Sequence, residues 1–129
     1  MSRIQWAQRG VLGTVVVILI LTVLEFPPPL GFETRPQDDV SPLWLVLFLA
    51  ILVSEVAAMI LIFKRPRLGA RCAVAAGCLN LLQIAADQLH LMQPEVAPLG
   101  YTILEYAVGL CSVLLIYLAW QVWQSTTSR

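Results

Sequence analysis

Four apolar stretches, at about 10–26, 43–63, 68–91 and 100–123, occupy most of this 129-residue chain. Each is close to the roughly 20 residues that an α-helix needs to cross a hydrocarbon layer about 30 Å thick. Lipid offers no partner to a backbone N–H or C=O, so segments of this kind span as helices that satisfy their own backbone. The pattern therefore predicts an all-α polytopic membrane protein, one domain over 1–129, with four transmembrane helices in an up-down bundle. Composition agrees: 59% of residues are hydrophobic and 12% charged, against about half and a quarter in a soluble domain. No length remains for a soluble catalytic domain, so any chemistry belongs within the bundle or at its two faces.

The first stretch resembles a secretory leader in having Arg3 and Arg9 ahead of an apolar run. It is followed, however, by Glu25, Phe26 and the triplet Pro27, Pro28 and Pro29, without a small-x-small cleavage pattern. It reads as a retained helix that the prolines end, since each removes a backbone donor and fixes φ.

Eight Lys and Arg balance eight Asp and Glu, so net charge points to no nucleic-acid partner. Their placement is more informative. Arg3, Arg9, Lys64, Arg65, Arg67, Arg71 and Arg129 fall at the N-terminus, the second-to-third link and the C-terminus, and only Arg35 falls on the opposite side. Cationic loops stay cytoplasmic, which puts both termini inside, in a bacterial plasma (inner) membrane. So strong a bias also argues against dual-topology insertion. Trp6, Phe63, Trp120 and Trp123 would mark the inner interface, and Phe26, Trp44 and Tyr101 the outer one. The acids then separate from the bases. Glu33, Asp38, Asp39 and Glu95 solvate outer loops, whereas Glu25, Glu55, Asp87 and Glu105 lie within the spans.

The third stretch carries Asn80, Gln83, Asp87 and His90 at steps of three, four and three, on one helix face. Toward the cytoplasm the same face holds Ala73, Ala76 and Gly77, small residues that admit a neighbouring helix. The fourth stretch offers a matching stripe in Thr102, Glu105, Gly109 and Ser112. At about 1.5 Å per residue, Asp87 and Glu105 reach similar depths, some 7 Å below the outer boundary, and Glu55 lies about 18 Å below it. Glu25, Asp87 and Glu105 thus form a candidate outer cluster, and Glu55 a deeper outpost. An ionised side chain near the bilayer centre costs roughly 2.5 to 3.5 kcal/mol. Glu55 is therefore expected to face the bundle interior, neutral or proton-exchanging. The cations nearest the cluster are His90, three residues after Asp87, and Arg35 if its loop folds back.

Three readings of these residues remain open. They hydrogen-bond between helices and fix packing, at an average near 0.6 kcal/mol per contact; or they line an outward-open pocket for a proton, a cation or a small polar ligand; or Asp87 and His90 at i and i+3 are metal ligands. The last lacks a second Glu-x-x-His element. A single His excludes bis-histidine haem ligation, no Cys-x-x-Cys is present, and Cys72, Cys78 and Cys111 lie in spans as small packing residues. Ser54 and Ser112 lack a histidine base, and no glycine-rich phosphate loop occurs. No motif requires a cofactor, although a quinone fits such a bundle. The repeated Pro-Leu-Gly-aromatic pattern at Pro29–Phe32 and Pro98–Tyr101 reads as shared turn chemistry. The link Lys64, Arg65, Pro66, Arg67 reads as a tight turn and topology signal that could also touch anionic headgroups.

Glu55 in the second stretch, the turn Lys64, Arg65, Pro66, Arg67, Leu68, Gly69, Ala70 and an Ala-rich third stretch resemble the DoxX-like group of small four-helix membrane proteins over the middle third of the chain. That group is associated with membrane redox partners, including a quinone-linked thiosulfate-oxidising subunit. The resemblance implies an accessory or redox-linked membrane subunit; the stripe Asn80, Gln83, Asp87, His90 comes from spacing alone. The expectation is a small inner-membrane accessory or ligand-binding protein without autonomous catalysis, with Glu25, Glu55, Asn80, Gln83, Asp87, His90, Glu105 and Ser112 as site residues. Its expected partners are the lipid bilayer and a membrane protein or further copies of itself. The alternatives are a proton- or cation-coupled small transporter using Glu55 and Asp87, and a subunit of a quinone-linked membrane oxidoreductase.

Overall fold

The computed structural model of the protein describes residues 2–25, 42–89 and 99–127, the side chains of 25 and 99–101 apart. These residues form four helices: α1 (Arg3–Glu25), α2 (Pro42–Lys64), α3 (Pro66–Gln88) and α4 (Leu99–Thr127). All four are long and apolar enough to cross a membrane.

Two helices run past the limits that hydropathy suggests. α1 begins at Arg3 rather than near Gly10 because Ser2 and Gln5 cap it reciprocally. The Gln5 backbone N–H donates to Ser2 Oγ at 3.3 Å, and the Ser2 backbone N–H donates to Gln5 Oε1 at 3.2 Å. α4 continues to Thr127, where Ser125, Thr126 and Thr127 hydroxyls donate to carbonyls of their own last turns. An apolar window finds the part of a helix that suits hydrocarbon. Backbone bonding carries the helix on through the interface, where polar residues are at no disadvantage.

Only Arg65 separates α2 from α3. Pro66 starts α3, at a position where a missing N–H costs nothing to the new helix. It does cost the old one, because the Ile62 carbonyl, four residues earlier, loses its helical donor. The Gln8 side chain of α1 supplies the replacement, Nε2 to the Ile62 carbonyl at 2.8 Å. So sharp a reversal also forces the two backbones together at Gly69. A Cβ built there would lie 2.5 Å from both Cα and N of Ile62.

α3 packs against both α2 and α4, while α1 packs along α4 and more lightly on α2. The core joins Val11, Val15 and Ile18 of α1, Ala58 and Ile62 of α2, Ala70, Ala73 and Ala76 of α3, and Leu115, Ala119 and Val122 of α4. Lipid tails are as apolar as these side chains, so closeness of fit rather than water exclusion holds such helices together. The α3 seam shows how it is achieved. Ala73, Ala76 and Gly77 are buried as their spacing predicts, and a Cβ on Gly77 would come within 2.6 Å of Ile116 Cγ1 and 3.0 Å of the Ser112 carbonyl oxygen. The outward faces carry large apolar side chains instead, among them Ile20, Val53, Ile60, Leu82 and Leu110. Trp6, Phe63 and Trp120 are also exposed.

Candidate functional site

α2 turns Ile51, Glu55, Ala58 and Ile62 inward, one residue per turn at steps of four, three and four. That stripe carries Glu55 into the bundle with no exposed surface. Across the seam, Asn80 Nδ2 of α3 donates to Glu55 Oε1 at 3.0 Å. Glu55 Oε2 is equally buried and has no hydrogen-bond partner among the described residues. One turn further along α3, the Gln83 side chain is half-buried, and its Nε2 is likewise buried without a partner among the described residues. An acceptor and a donor thus lie unmatched along one polar strip between α2 and α3. Buried polar atoms are rarely left so, and where they are, a bound water, ion, proton or ligand is the usual reason.

A second polar contact joins α3 to α4 through Gln88 and Glu105. Asp87 and Glu105 are both buried, and Gln88 Nε2 donates to Glu105 Oε2 at 2.7 Å. The stripe from Asn80 to His90 omits Gln88, which lies eight residues beyond Asn80 and is rotated about 80° from it at 100° per residue. α3 is flanked on two sides and so has two polar edges, and Gln88 occupies the one toward α4. Replacing Gln88 by leucine removes a part-buried donor from the buried Glu105. The expected loss is about 1–2 kcal/mol of stability, read as a lower melting temperature in detergent; an unchanged melting temperature would show that the contact is dispensable.

The remaining expected site residues are distributed unevenly. Ser112 is wholly buried, but its hydroxyl donates to the Val108 carbonyl of its own helix at 2.7 Å, and its backbone oxygen abuts Gly77. Its place is therefore in the α3–α4 packing seam. Glu25 ends α1, with its side chain outside the described atoms. His90, Arg35 and the loop acids Glu33, Asp38, Asp39 and Glu95 lie outside the described residues. Among the described residues no group of three His, Cys, Asp or Glu side chains is placed to hold a metal ion. Cys72, Cys78 and Cys111 are free thiols. Gln8 is a buried polar residue that spacing alone passes over. Its signal is the proline at 66, which leaves a carbonyl in need of a donor.

The arrangement suits binding more than bond-making. A carboxyl held on one oxygen by an amide, with a second amide a turn away, can take up a proton, a small cation or a hydrogen-bonding solute. No protein-family model, no curated protein and no solved structure matches the chain. Fold and side chains define a four-helix membrane protein with a buried carboxyl at its centre, and the functional argument rests on those residues.

Proposed function

We propose that this protein is a small polytopic membrane protein that binds a proton, a small cation or a small polar ligand at Glu55 and Asn80, acting as an accessory or ligand-binding subunit without autonomous catalysis. The observation that carries this reading is Glu55 itself, fully buried among apolar helices with one oxygen held and the other unmatched among the described residues. Packing alone is served better by an apolar residue, because an ionisable group at this depth is costly and normally kept for a task. The direct test is a thermal-shift titration of detergent-purified protein with Li⁺, Na⁺, K⁺ and small organic cations over a pH series. Wild-type protein is expected to shift with cation or proton, and Glu55→Gln to lose the shift while remaining folded. A wild-type protein indifferent to both, or a Glu55→Gln protein that shifts as wild type does, would overturn the reading.

Asp87 and the polar strip through Gln83 favour a second reading, a proton- or cation-coupled transporter in which the strip connects Glu55 with the outer face. Proteoliposome flux separates the two: a transporter loses pH-dependent flux in Glu55→Gln, whereas a binding subunit shows none in either protein. The resemblance to the DoxX-like group fits the accessory role and suggests a redox partner, with a quinone as the group that gentle extraction would recover.

This reading takes the bundle as up-down, with both termini cytoplasmic. Supporting it, the start of α1 meets the end of α2 through Gln8 and the end of α4 through Arg3 Nη2 and Gln121 Oε1 at 3.0 Å, while the end of α3 meets the start of α4 through Gln88. The charge bias sets the side. In a background with the three native cysteines replaced by alanine, a cysteine substituted for Asp38 is expected to react with an impermeant thiol reagent in intact cells, and one substituted for Ser128 only after permeabilisation. The reverse labelling pattern would invert the topology.

A further inference from the structure

The lighter packing of α1 on α2 leaves a groove of about 350 Å³ between them, lined by Val16, Leu19, Ile20, Val23 and Leu24 of α1 and Met59 of α2. Its lining is wholly apolar, and Ile20 and Val23 are more than half exposed. Arg9 lies on the same strip of α1, since 9, 16, 20 and 23 follow one another at seven, four and three residues. Gln8, one residue earlier, holds the Ile62 carbonyl, so Arg9 lies at the level of the end of α2, where Lys64 and Arg65 follow.

The basic residues of this end differ in their engagement. Arg3 donates to Gln121, Arg67 donates through Nη2 to the Thr126 carbonyl at 2.8 Å, and the Arg71 guanidinium lies 4.8 Å from the Trp123 ring centroid. All three are tied to the last turns of α4. The side chains of Arg9, Lys64 and Arg65 are exposed and have no hydrogen-bond or ion-pair partner among the described residues, and no described acid lies near them in the sequence. Three cations are thus left at the end of the bundle where α1 starts and α2 finishes, beside two helices that share an apolar groove.

We infer that this crevice is a binding site for an anionic phospholipid, with its phosphate on Arg9, Lys64 and Arg65 and one acyl chain in the groove. The lengths agree. Val16 lies about 10 Å and Leu24 about 22 Å from Arg9 along the helix, while one leaflet of hydrocarbon is about 15 Å deep. A chain anchored at Arg9 therefore enters the near end of the groove with its terminal third. The site is independent of Glu55, which faces α3.

Native mass spectrometry of the full chain, purified with equal amounts of phosphatidylglycerol and phosphatidylcholine, tests the proposal. Wild-type protein is expected to retain phosphatidylglycerol preferentially. The triple variant Arg9→Gln, Lys64→Gln, Arg65→Gln should lose about tenfold or more of that preference, since each cation near an anionic surface contributes measurably. Arg3, Arg67, Arg71 and Arg129 remain to hold its orientation. Arg67→Gln with Arg71→Gln should keep the preference within about twofold, because those side chains are engaged with α4. Ile20→Trp, which fills the groove while leaving every charge in place, should reduce retention. The proposal is overturned if wild type does not discriminate between the lipids, if the two sets of charge variants lose preference equally, or if Ile20→Trp retains lipid as wild type does.

Discussion

Gly69→Ala is expected to lower the stability of the protein by about 3 kcal/mol or more and its melting temperature in detergent by about 10 °C or more. The added methyl would lie 2.5 Å from the Ile62 backbone, which cannot swing aside as a side chain tip can. Relief would require α2 and α3 to part near their one-residue link, and with them the Gln8 contact and the seam that holds Glu55 against Asn80. Gly13→Ala is the matched control. Nothing lies within 4 Å of its added Cβ, so the usual helix preference should raise stability by about 0.5–1 kcal/mol. Equal melting temperatures for the two variants would show that the α2–α3 turn has slack that its geometry does not suggest.

Asn80→Leu should be nearly as severe, at about 3 kcal/mol, because it removes the donor to Glu55 Oε1 and leaves both carboxyl oxygens buried without a partner among the described residues. The pair is best read through a double-mutant cycle. Glu55→Leu combined with Asn80→Leu replaces both polar groups by apolar ones of comparable size and should recover most of the loss, since the penalty arises from stranding one partner. A double variant as unstable as Asn80→Leu alone would mean that shape rather than hydrogen bonding governs this part of the seam. If the double variant is stable yet insensitive to protons and cations, the carboxyl is present for function.

Much of this was legible in the residues. Helix number and approximate limits follow from apolar length, because hydrocarbon thickness leaves little choice. The burial of Glu55 follows from its cost in lipid, and that of Ala73, Ala76 and Gly77 from their spacing. The Glu55–Asn80 pair lay within reach of the same arithmetic: about 18 Å below the outer end for one and, counting back from residue 91, about 16 Å for the other. Equal depth does not say which helices are neighbours, however, and that knowledge came only with the fold. Gln88 escaped for a related reason. A single stripe describes a helix with one neighbour, and α3 has two. The cap formed by Ser2 and Gln5 was visible as a Ser-x-x-Gln pattern but fell outside the apolar window, so the first helix begins a full two turns earlier than hydropathy indicates.

The hydrogen bond from Gln8 to the Ile62 carbonyl bears on how the protein is assembled. α1 is synthesised before α2, so the acceptor its glutamine needs does not exist until the end of α2 has been made. Until then α1 has neither this partner nor the face of α4 along which it packs. The first of these four helices is therefore among the last to be secured, and their order of synthesis is not their order of closure. A ribosome-bound intermediate ending before Ile62 should hold an α1 that is inserted but still free to move sideways in the lipid.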